Sequence, residues 1–364
     1  MSNSSQSDQS PESAYPSRAG IPAVLVVIPT LNEALHVEAA LLQLSLGVPI
    51  SYHVRFLVCD GGSHDGTQEI VARLARSDER VVLLHNPKRL QSAAMNQAVR
   101  AQGAGFDILI RCDAHSIYPP GFILELVRTL ERTQADAVVV PMDSMGDTCL
   151  GKAVAWVSDT LVGSGGAAHR GGTRSGYVDH GHHAAFRMAT FISAGGYDES
   201  FSHNEDAELD CRQRALGARI YLDSEIRIGY VVRGTLGGLW RQYFAYGRGR
   251  SRTVRKHPAS LRLRQFAVPA HLVILILCGL AFPWFPWLAV WPGLYLTVLC
   301  LTASALAVRH GSRCGLLAVP AAVVMHTAYA LGFAWGMVSQ REVRWRSTSV
   351  KTLVPGKSID GNQI

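Results

Sequence analysis

The sequence predicts an α/β domain with a mostly parallel sheet, followed by C-terminal transmembrane helices. Between residues 23 and 141, short β-branched runs alternate with segments of helical periodicity, a pattern typical of βαβ units. From Gln265 to Val338 the only charged residues are Arg309 and Arg313, too few for the surface of a soluble domain. The 364 residues therefore suffice for one large domain and a membrane appendage.

The predicted strands are apolar on both faces, as expected for a sheet that helices cover on both sides. They are Val24–Pro29, Val54–Cys59, Val81–His85, Asp107–Cys112 and Ala137–Pro141. The predicted helices are Glu33–Leu46, Thr67–Arg76, Gln91–Gln102 and Gly121–Thr133, and helical character returns at Phe191–Gly196 and Asp206–Leu216. The region after Pro141 is less regular, and its glycine-rich stretch Gly163–Gly176 fits either a lid near a site or a linker.

Three apolar segments follow, Phe266–Phe282, Trp284–Val308 and Gly315–Val338. Each has approximately the length of a membrane span, which needs roughly 20 residues. A third span would place the basic C-terminus outside, against the positive-inside rule. Either this rule is broken here, or the third segment lies in the interface or re-enters.

The expected organisation has five parts. They are a disordered tail at 1–20, a catalytic domain at 21–240, a basic interfacial segment at 241–264, a membrane region of two or three apolar helices at 265–340, and a basic tail at 341–364. The net charge of +7 indicates an anionic partner. Eight Lys or Arg residues and no acid occupy the interfacial segment, which leads directly into apolar sequence and favours a membrane surface over nucleic acid.

Seven cysteines show neither CxxC pairing nor zinc-site spacing. We predict reduced, mostly buried thiols in a cytoplasmic compartment. The N-terminal tail is rich in Ser, Pro and Gln and has no apolar core, so it does not read as a signal peptide.

Polar residues follow three of the predicted strands, at the edge where parallel sheets bind ligands. They are Pro29-Thr30-Leu31-Asn32-Glu33 after the first strand, Asp60-Gly-Gly-Ser-His-Asp65-Gly-Thr67 after the second, and Asp113-Ala-His115 after the fourth. A lone acid after a strand is usually a helix cap, and Asp65 is interpreted as one. Three strand ends with polar residues together favour a binding site.

Asp113 and His115 alternate along the chain, so both side chains point to one face. A carboxylate and an imidazole suit Mg²⁺ or Mn²⁺ when diphosphate oxygens complete the coordination sphere. His180, His182 and His183 are further possible metal ligands. An Asp-x-His pair on its own occurs often by chance.

Glu205 and Asp206 stand at the start of a predicted helix. Acids there gain from the helix dipole, which is a sufficient structural reason for their presence. The functional alternative is a general base that deprotonates an acceptor hydroxyl.

In this order, the motifs resemble those of family 2 glycosyltransferases. Further stretches narrow the resemblance to bacterial enzymes of the succinoglycan type, the glucosyltransferases of exopolysaccharide assembly: Asn86-Pro87-x-Arg89, His203-Asn204-Glu205-Asp206, Arg241–Arg250 and Lys256-His257-Pro258. It covers about residues 24–265, and more loosely the membrane part. It implies a GT-A fold, the Rossmann-like fold of nucleotide-diphospho-sugar transferases.

The resemblance also implies roles for individual residues. Asp206 is the expected catalytic base, oriented by Glu205. Asp113 and His115 are the expected ligands of Mg²⁺ or Mn²⁺, with His115 in place of the second acid of the usual Asp-x-Asp. The residues expected to bind the nucleotide sugar are Pro29, Glu33, Asp60, Arg89, Asp113 and Arg248. Gln242 is assigned to the acceptor region together with His182 and His183, for which the alternative is that they are ordinary loop histidines.

Two departures from the family pattern bear on function. Gln242 and Arg248 lie where processive relatives carry Gln-x-x-Arg-Trp, and the broken motif argues against a processive synthase. Asp60-Gly61 replaces two adjacent acids, so contacts to the nucleotide base are expected to differ in detail.

The expected activity is inverting transfer of a hexose from a nucleotide-sugar donor, with UDP as the nucleotide, to a lipid-linked saccharide. The expected setting is exopolysaccharide or cell-envelope glycan synthesis at the bacterial cytoplasmic membrane, with the catalytic domain facing the cytoplasm. One alternative is transfer to a polyprenyl phosphate. The other is a catalytically dead membrane scaffold, which His115 favours and the retained carboxylates oppose.

Overall fold

The computed structural model describes residues 20–166, 172–347 and 353. The predicted N-terminal tail, apart from Gly20, lies outside the described residues. So do part of the glycine-rich stretch and most of the C-terminal tail.

Eleven strands form two sheets in the described part of the chain. They are β1 (Val24–Thr30), β2 (Val54–Asp60), β3 (Val81–His85), β4 (Ile108–Arg111), β5 (Ser116–Ile117), β6 (Ala137–Val140), β7 (Met142–Met145), β8 (Gly176–Val178), β9 (His182–Arg187), β10 (Ile220–Leu222) and β11 (Ile228–Val231).

The main sheet has the strand order β3-β2-β1-β4-β9-β6-β10-β8. Its strands run parallel except β9, which is antiparallel to both neighbours, and β8 at the edge. Thr30 lies opposite Asp60, and Asp60 opposite His85, so the carboxyl ends of β1, β2 and β3 meet at one edge. A small second sheet has the order β5-β11-β7.

Twelve α-helices accompany the strands in the residues that the structure describes. They are α1 (Val37–Ser45), α2 (Thr67–Ser77), α3 (Gln91–Gln102), α4 (Phe122–Thr133), α5 (Cys149–Ser158), α6 (Leu161–Ser164), α7 (Met188–Ser193), α8 (Glu205–Ala215), α9 (Leu236–Lys256), α10 (Leu263–Ala281), α11 (Val290–Arg309) and α12 (Ala318–Ser339).

Alternate residues of the central strands bury on opposite faces of the main sheet. Val24, Val26 and Ile28 pack into one core with α1, α2 and α4, whereas Leu25 and Val27 pack into another with α3 and α7. This three-layer arrangement is what strands apolar on both faces predict.

Two predicted helix boundaries are wrong for local reasons. Helix α1 starts at Val37 rather than Glu33, because Glu33 N donates to Thr67 Oγ1 (2.9 Å) and Ala34 N to Asp65 Oδ2 (3.0 Å). Asp65 also accepts from the N–H of Thr67, the first residue of α2, but the N-cap of this helix is Gly66, one residue later than predicted. Helix α7 ends before the predicted Gly196, since Gly195 and Gly196 adopt left-handed φ angles of 81° and 67°.

The C-terminal helices include two stretches long and apolar enough to cross a membrane, Pro286–Arg309 and Arg313–Ser339. The apolar stretch Gln265–Ala281 is shorter. These helices suggest membrane association. The predicted boundary between residues 240 and 241 falls inside α9.

The prediction that all cysteines are reduced thiols is wrong for two of them. Cys149 and Cys314 form a disulfide, with Cα atoms 5.0 Å apart and a sequence separation of 165. Their pairing arises because the turn before α12 packs on α5, a contact that cysteine spacing does not reveal. Among the free thiols, Cys59, Cys112 and Cys278 are buried as predicted.

Candidate active site

An open cleft of about 1540 Å³ lies at the carboxyl ends of β1 and β4 and continues between the C-terminal helices. It brings together most of the residues that the sequence predicted for the site. Those that line it are Pro29, Arg89, Asp113, His115, His182, Glu205, Asp206 and Gln242. Segments far apart in sequence thus share one site.

Three carboxylates of the cleft surround one buried guanidinium. Arg111 Nη1 lies 2.5 Å from Asp206 Oδ1 and 3.8 Å from Glu205 Oε1, and its Nη2 lies 3.6 Å from Asp113 Oδ1. Only 6% of Arg111 is exposed. A buried cation shared by three acids stabilises the ionised form of those acids most closely paired with it.

Asp113 and Glu205 respond differently to this environment. Burial would raise the pKa of Asp113, but Arg111 and His182 outweigh it, and the pKa lies below its usual value. Burial, and then the neighbouring Asp206, raises the pKa of Glu205 to about 7. At neutral pH the site therefore holds an ionised Asp113 beside a partly protonated Glu205.

Asp206 is held by one of its two oxygens. Its Oδ1 accepts from Arg111 and from the hydroxyl of Tyr197 at 2.7 Å. The other oxygen, Oδ2, lies 4.0 Å from His182 Nδ1, which is beyond hydrogen-bond distance. The carboxylate is thus fixed in orientation, and Oδ2 can accept a further proton donor.

His115 is paired with Glu33 through a 2.8 Å contact between Nδ1 and Oε1. This hydrogen bond raises the pKa of His115 against the opposing effect of burial. Metal-bound histidines commonly have a carboxylate on the second ring nitrogen, so Glu33 fits a supporting role for Nε2 coordination. His182 Nε2 lies 3.7 Å from Asp113 Oδ2.

The donor groups therefore suit a divalent metal whose sphere the substrate completes. Among the described residues, no three His, Cys, Asp or Glu side chains form a metal-binding group by themselves. Asp113 and His115 would supply two ligands, and diphosphate oxygens the others, which fits Mg²⁺ or Mn²⁺.

Asp60 organises the loop after β2. Its Oδ1 accepts from Gly62 N and Ser63 N at 2.9 Å each, and its Oδ2 accepts from Thr30 Oγ1 at 3.2 Å. A Cβ on Gly62, whose φ is +83°, would lie 3.4 Å from Arg89 Nη2. Asp60 thus fixes the loop at Gly62, against which the Arg89 side chain packs.

The predicted acceptor residues are spread over β9 and α9. The Gln242 amide donates to Tyr230 and Tyr246 hydroxyls at 2.6 and 3.0 Å. Arg248 lies 3.5 Å from Ser202 Oγ and is not among the described residues that line the cleft, whereas Arg250 is. The side chain of His183 lies outside the described part of the chain.

Arg111 and Tyr197 were not predicted as site residues. A charged residue inside the otherwise apolar run Ile108–Cys112 was a usable signal, because a buried cation needs acidic partners. Tyr197 gave no such signal, since its contact with Asp206 depends on how the turn before α8 folds back.

Comparison with known proteins identifies the family. Residues 25–191 match the family model described as glycosyl transferase family 2. The chain is also 44% identical over 310 residues to the succinoglycan biosynthesis protein ExoA of Rhizobium meliloti strain 1021, covering 85% of this chain and 93% of ExoA. The protein belongs to glycosyltransferase family 2.

This family 2 glycosyltransferase also resembles a solved structure over most of its length. The match is the mannosyltransferase PcManGT of Pyrobaculum calidifontis, with a TM-score of 0.55, 18% identity and 89% of each chain covered. At this identity the likeness shows the fold. The predicted GT-A fold, with its mostly parallel sheet, is therefore confirmed.

Proposed function

We propose that this glycosyltransferase moves a hexose from a nucleotide-sugar donor, with UDP as the expected nucleotide, to a lipid-linked saccharide. The expected pathway is exopolysaccharide or cell-envelope glycan synthesis. The observation that carries the proposal is a single cleft with Asp113, Glu205 and Asp206 around Arg111 at one end and apolar helices at the other. ExoA is named for succinoglycan biosynthesis, and PcManGT was solved with GDP-Man and Mn²⁺, which supports this type of reaction and a metal.

The proposed reaction is one in-line displacement with inversion, as the family resemblance implies. The acceptor hydroxyl attacks the anomeric carbon while its proton passes to Asp206 Oδ2, and the nucleoside diphosphate leaves. Arg111 and Tyr197 hold Oδ1 of Asp206, which aims Oδ2 at the acceptor. Glu205 is the proposed orienting group.

Charge on the departing diphosphate needs positive partners. A divalent ion at Asp113 and His115 supplies Lewis-acid stabilisation of that charge when bound. Arg89 and Arg233 line the same cleft and are suited to contact phosphate oxygens, and Arg248 stays a predicted donor contact. No covalent enzyme intermediate is required.

The far end of the cleft supports a lipid-linked acceptor. Val268, Met325 and Tyr329 line it, all from the apolar C-terminal helices. Two of its polar side chains bond within the protein: Tyr295 Oη lies 2.9 Å from His326 Nδ1, and His326 Nε2 lies 2.8 Å from Val162 O. An apolar wall continuous with the carboxylates suits a sugar whose lipid carrier stays in the membrane.

We further propose attachment to the bacterial cytoplasmic membrane, with the catalytic domain in the cytoplasm. Basic residues of the interfacial segment 241–264 flank the apolar helices, as the positive-inside rule expects of a cytoplasmic flank. The adjacent membrane region is the proposed 265–340.

The test is release of UDP from a panel of UDP-sugars by the detergent-solubilised protein. It is run with a lipid-diphosphate saccharide, with a polyprenyl monophosphate or with a free soluble sugar, each with and without Mn²⁺ or Mg²⁺. We expect metal-dependent release that the lipid-diphosphate saccharide stimulates most. Preference for the monophosphate would favour the alternative acceptor, and equal use of the free sugar would refute a lipid-linked acceptor. Absence of nucleotide-sugar binding in a folded protein would favour the scaffold.

A further inference from the structure

We propose that α12 lies along the catalytic-domain face of the bilayer instead of crossing it, and that the hairpin of α10 and α11 is the membrane-inserted part of the described chain. The inference rests on the membrane association proposed above. It is independent of the sugar that is transferred. Composition alone would make α12 a span, because its stretch is both long and apolar.

The beginning of α12 is attached to the catalytic domain. Cys314, just before α12, is bonded to Cys149 at the start of α5. His310 in the same turn stacks on Trp156 of α5, with ring centroids 4.0 Å apart. Ala318 in the first turn of α12 is buried in the same cluster as Val154 of α5.

The end of α12 is attached to the catalytic domain as well. Arg255 of α9 donates to Gly336 O at 2.6 Å and to Gln340 O. Beyond α12, Trp345 N donates to Lys256 O at 3.0 Å. Leu353 N donates to Ile192 O at 3.2 Å, and the Leu353 side chain is buried in the core beside the main sheet.

Between its ends, α12 packs on α9 through small residues. A Cβ added to Gly332 would lie 2.1 Å from Phe244 O, and one added to Gly336 would lie 2.1 Å from Ser251 Oγ. Gly332 thus faces Phe244, and Gly336, further along α12, faces Ser251, further along α9, so the two helices run parallel. Gly332 and Gly336 form a GxxxG pair, a close-packing motif of membrane helices, and here α9 is its partner.

Helix α9 cannot enter the hydrocarbon. Its 21 residues include six cations, Arg241, Arg248, Arg250, Arg252, Arg255 and Lys256. At about 2.5–3.5 kcal/mol for each cation at the bilayer centre, burying all six would cost roughly 15–21 kcal/mol. Lys256 is also paired with the buried Glu208 of α8 at 2.8 Å.

Because α12 packs along α9, it is held at the depth of α9, which is the membrane interface. Its outward side is apolar near the C-terminal end, where Trp335 and Val338 are exposed. Such a surface suits the boundary between headgroups and acyl chains.

The α10–α11 hairpin has the features of the inserted part. Its helices have 19 and 20 residues, about 28–30 Å at 1.5 Å per residue, against a hydrocarbon core of about 30 Å. At its tip, Trp284 and Trp287 are 74% and 68% exposed, as expected of aromatic residues at a membrane interface. The cations of the hairpin lie only at the opposite end, at Arg262, Arg264 and Arg309.

This topology removes the conflict with the positive-inside rule. Two inserted helices return the chain to its starting side, so the basic residues after α12 lie on the same side as α9. The sequence left three possibilities open for the third apolar segment. The contacts at both ends of α12 select the interfacial one.

The first test is protease protection of the full chain carrying different epitope tags at its N- and C-termini. Inside-out and right-side-out membrane vesicles are treated separately with protease. We expect both tags to be digested in the same preparation. Digestion of both tags in inside-out vesicles also supports the cytoplasmic orientation. Digestion of both tags in right-side-out vesicles refutes the cytoplasmic orientation but still agrees with the proposed position of α12. Digestion of the two tags in different preparations means that α12 crosses, and overturns the inference.

The second test locates the turn between α11 and α12. In a variant that keeps only Cys149 and Cys314, membranes are reduced, then oxidised with copper phenanthroline, and remaining thiols are labelled with a maleimide polymer. We expect oxidation to remove both labelling sites and a reductant to restore them, while the additional change Cys314→Ser leaves Cys149 labelled throughout.

Failure of the two thiols to join, in membranes where the tags lie on one side, would place that turn across the bilayer and overturn the inference. Recovery of the protein in the soluble fraction without detergent would overturn it too. In that case UDP release with a saccharide acceptor could still establish the transferase activity.

Discussion

Replacing Arg111 by Met should leave Asp113, Glu205 and Asp206 without their shared buried cation. Arg111 lies 2.5 Å from Asp206, 3.6 Å from Asp113 and 3.8 Å from Glu205. Removing one partner of a buried ion pair costs about 3–5 kcal/mol. With about 2–4 °C lost for each kcal/mol in a domain of this size, we expect the melting temperature at pH 8 to fall by roughly 6–20 °C.

The loss should depend on pH. In the wild type the pKa of Asp113 is lowered. The ionised Asp113 therefore stabilises the fold at pH values above the pKa of an unfolded Asp, about 4, and this stabilisation is lost as the pH falls. Without Arg111, burial alone would raise that pKa, so the variant would lose stability as pH rises. The difference between variant and wild type should therefore be larger at pH 8 than at pH 5.

The assay is intrinsic tryptophan fluorescence during heating in detergent, at pH 8 and pH 5. Arg187→Met is the matched control, since the Arg187 guanidinium donates to two backbone carbonyls, Ala135 O at 2.9 Å and Leu130 O at 3.0 Å. The melting temperature of Arg187→Met should fall by a similar amount at both pH values. An Arg111→Met effect that is equally insensitive to pH would refute the account of the carboxylate cluster.

Three further predictions concern the same fold and site. Glu205→Gln should melt at a higher temperature than the wild type at pH 8 but not at pH 5. The reason is that a carboxyl with a pKa of about 7 in the folded protein lowers the stability of the fold as the pH rises toward that value. A lower melting temperature of the variant at pH 8 would contradict this prediction. Glu33→Gln should raise the metal concentration for half-maximal activity by about 10–100-fold through the loss of support for His115, measured by titrating Mn²⁺; an unchanged requirement would remove His115 from the metal site. Gly332→Leu should lower the melting temperature by several degrees, because the new side chain would collide with α9. The control Gly293→Leu should leave the melting temperature unchanged, because a Cβ added at Gly293 would have open space around it. Equal effects of the two changes would argue against the packing of α12 on α9.

Much of the sheet and of the site could be predicted because both depend on local sequence. Each β-branched run such as Val81–His85 became a strand, and Gln91–Gln102 became a helix with the predicted bounds. Parallel strands bring their carboxyl ends together, so the residues after three strands were predicted in one site, and Asp113 and His115 were paired because they alternate after the same strand.

The rest depends on contacts between distant segments. Arg111 acquires Glu205 and Asp206 as partners only when α8 docks against β4, so the run Ile108–Cys112 taken alone resembles an apolar strand that contains one arginine. The Cys149–Cys314 pair depends on packing between α5 and the turn before α12. The composition of α12 fits a membrane span, and its contacts with α5 and α9 place it elsewhere.

The most direct test of the central claim is transfer of labelled sugar from the nucleotide donor to the lipid-linked acceptor by the Asp206→Asn variant. The control is Glu125→Gln, whose exposed side chain pairs with Arg128 on α4. Loss of a general base should slow transfer by about 10²–10⁴-fold, with donor binding retained and the control unaffected. Transfer within a few-fold of the wild type by Asp206→Asn would contradict the assignment of Asp206 as the catalytic base.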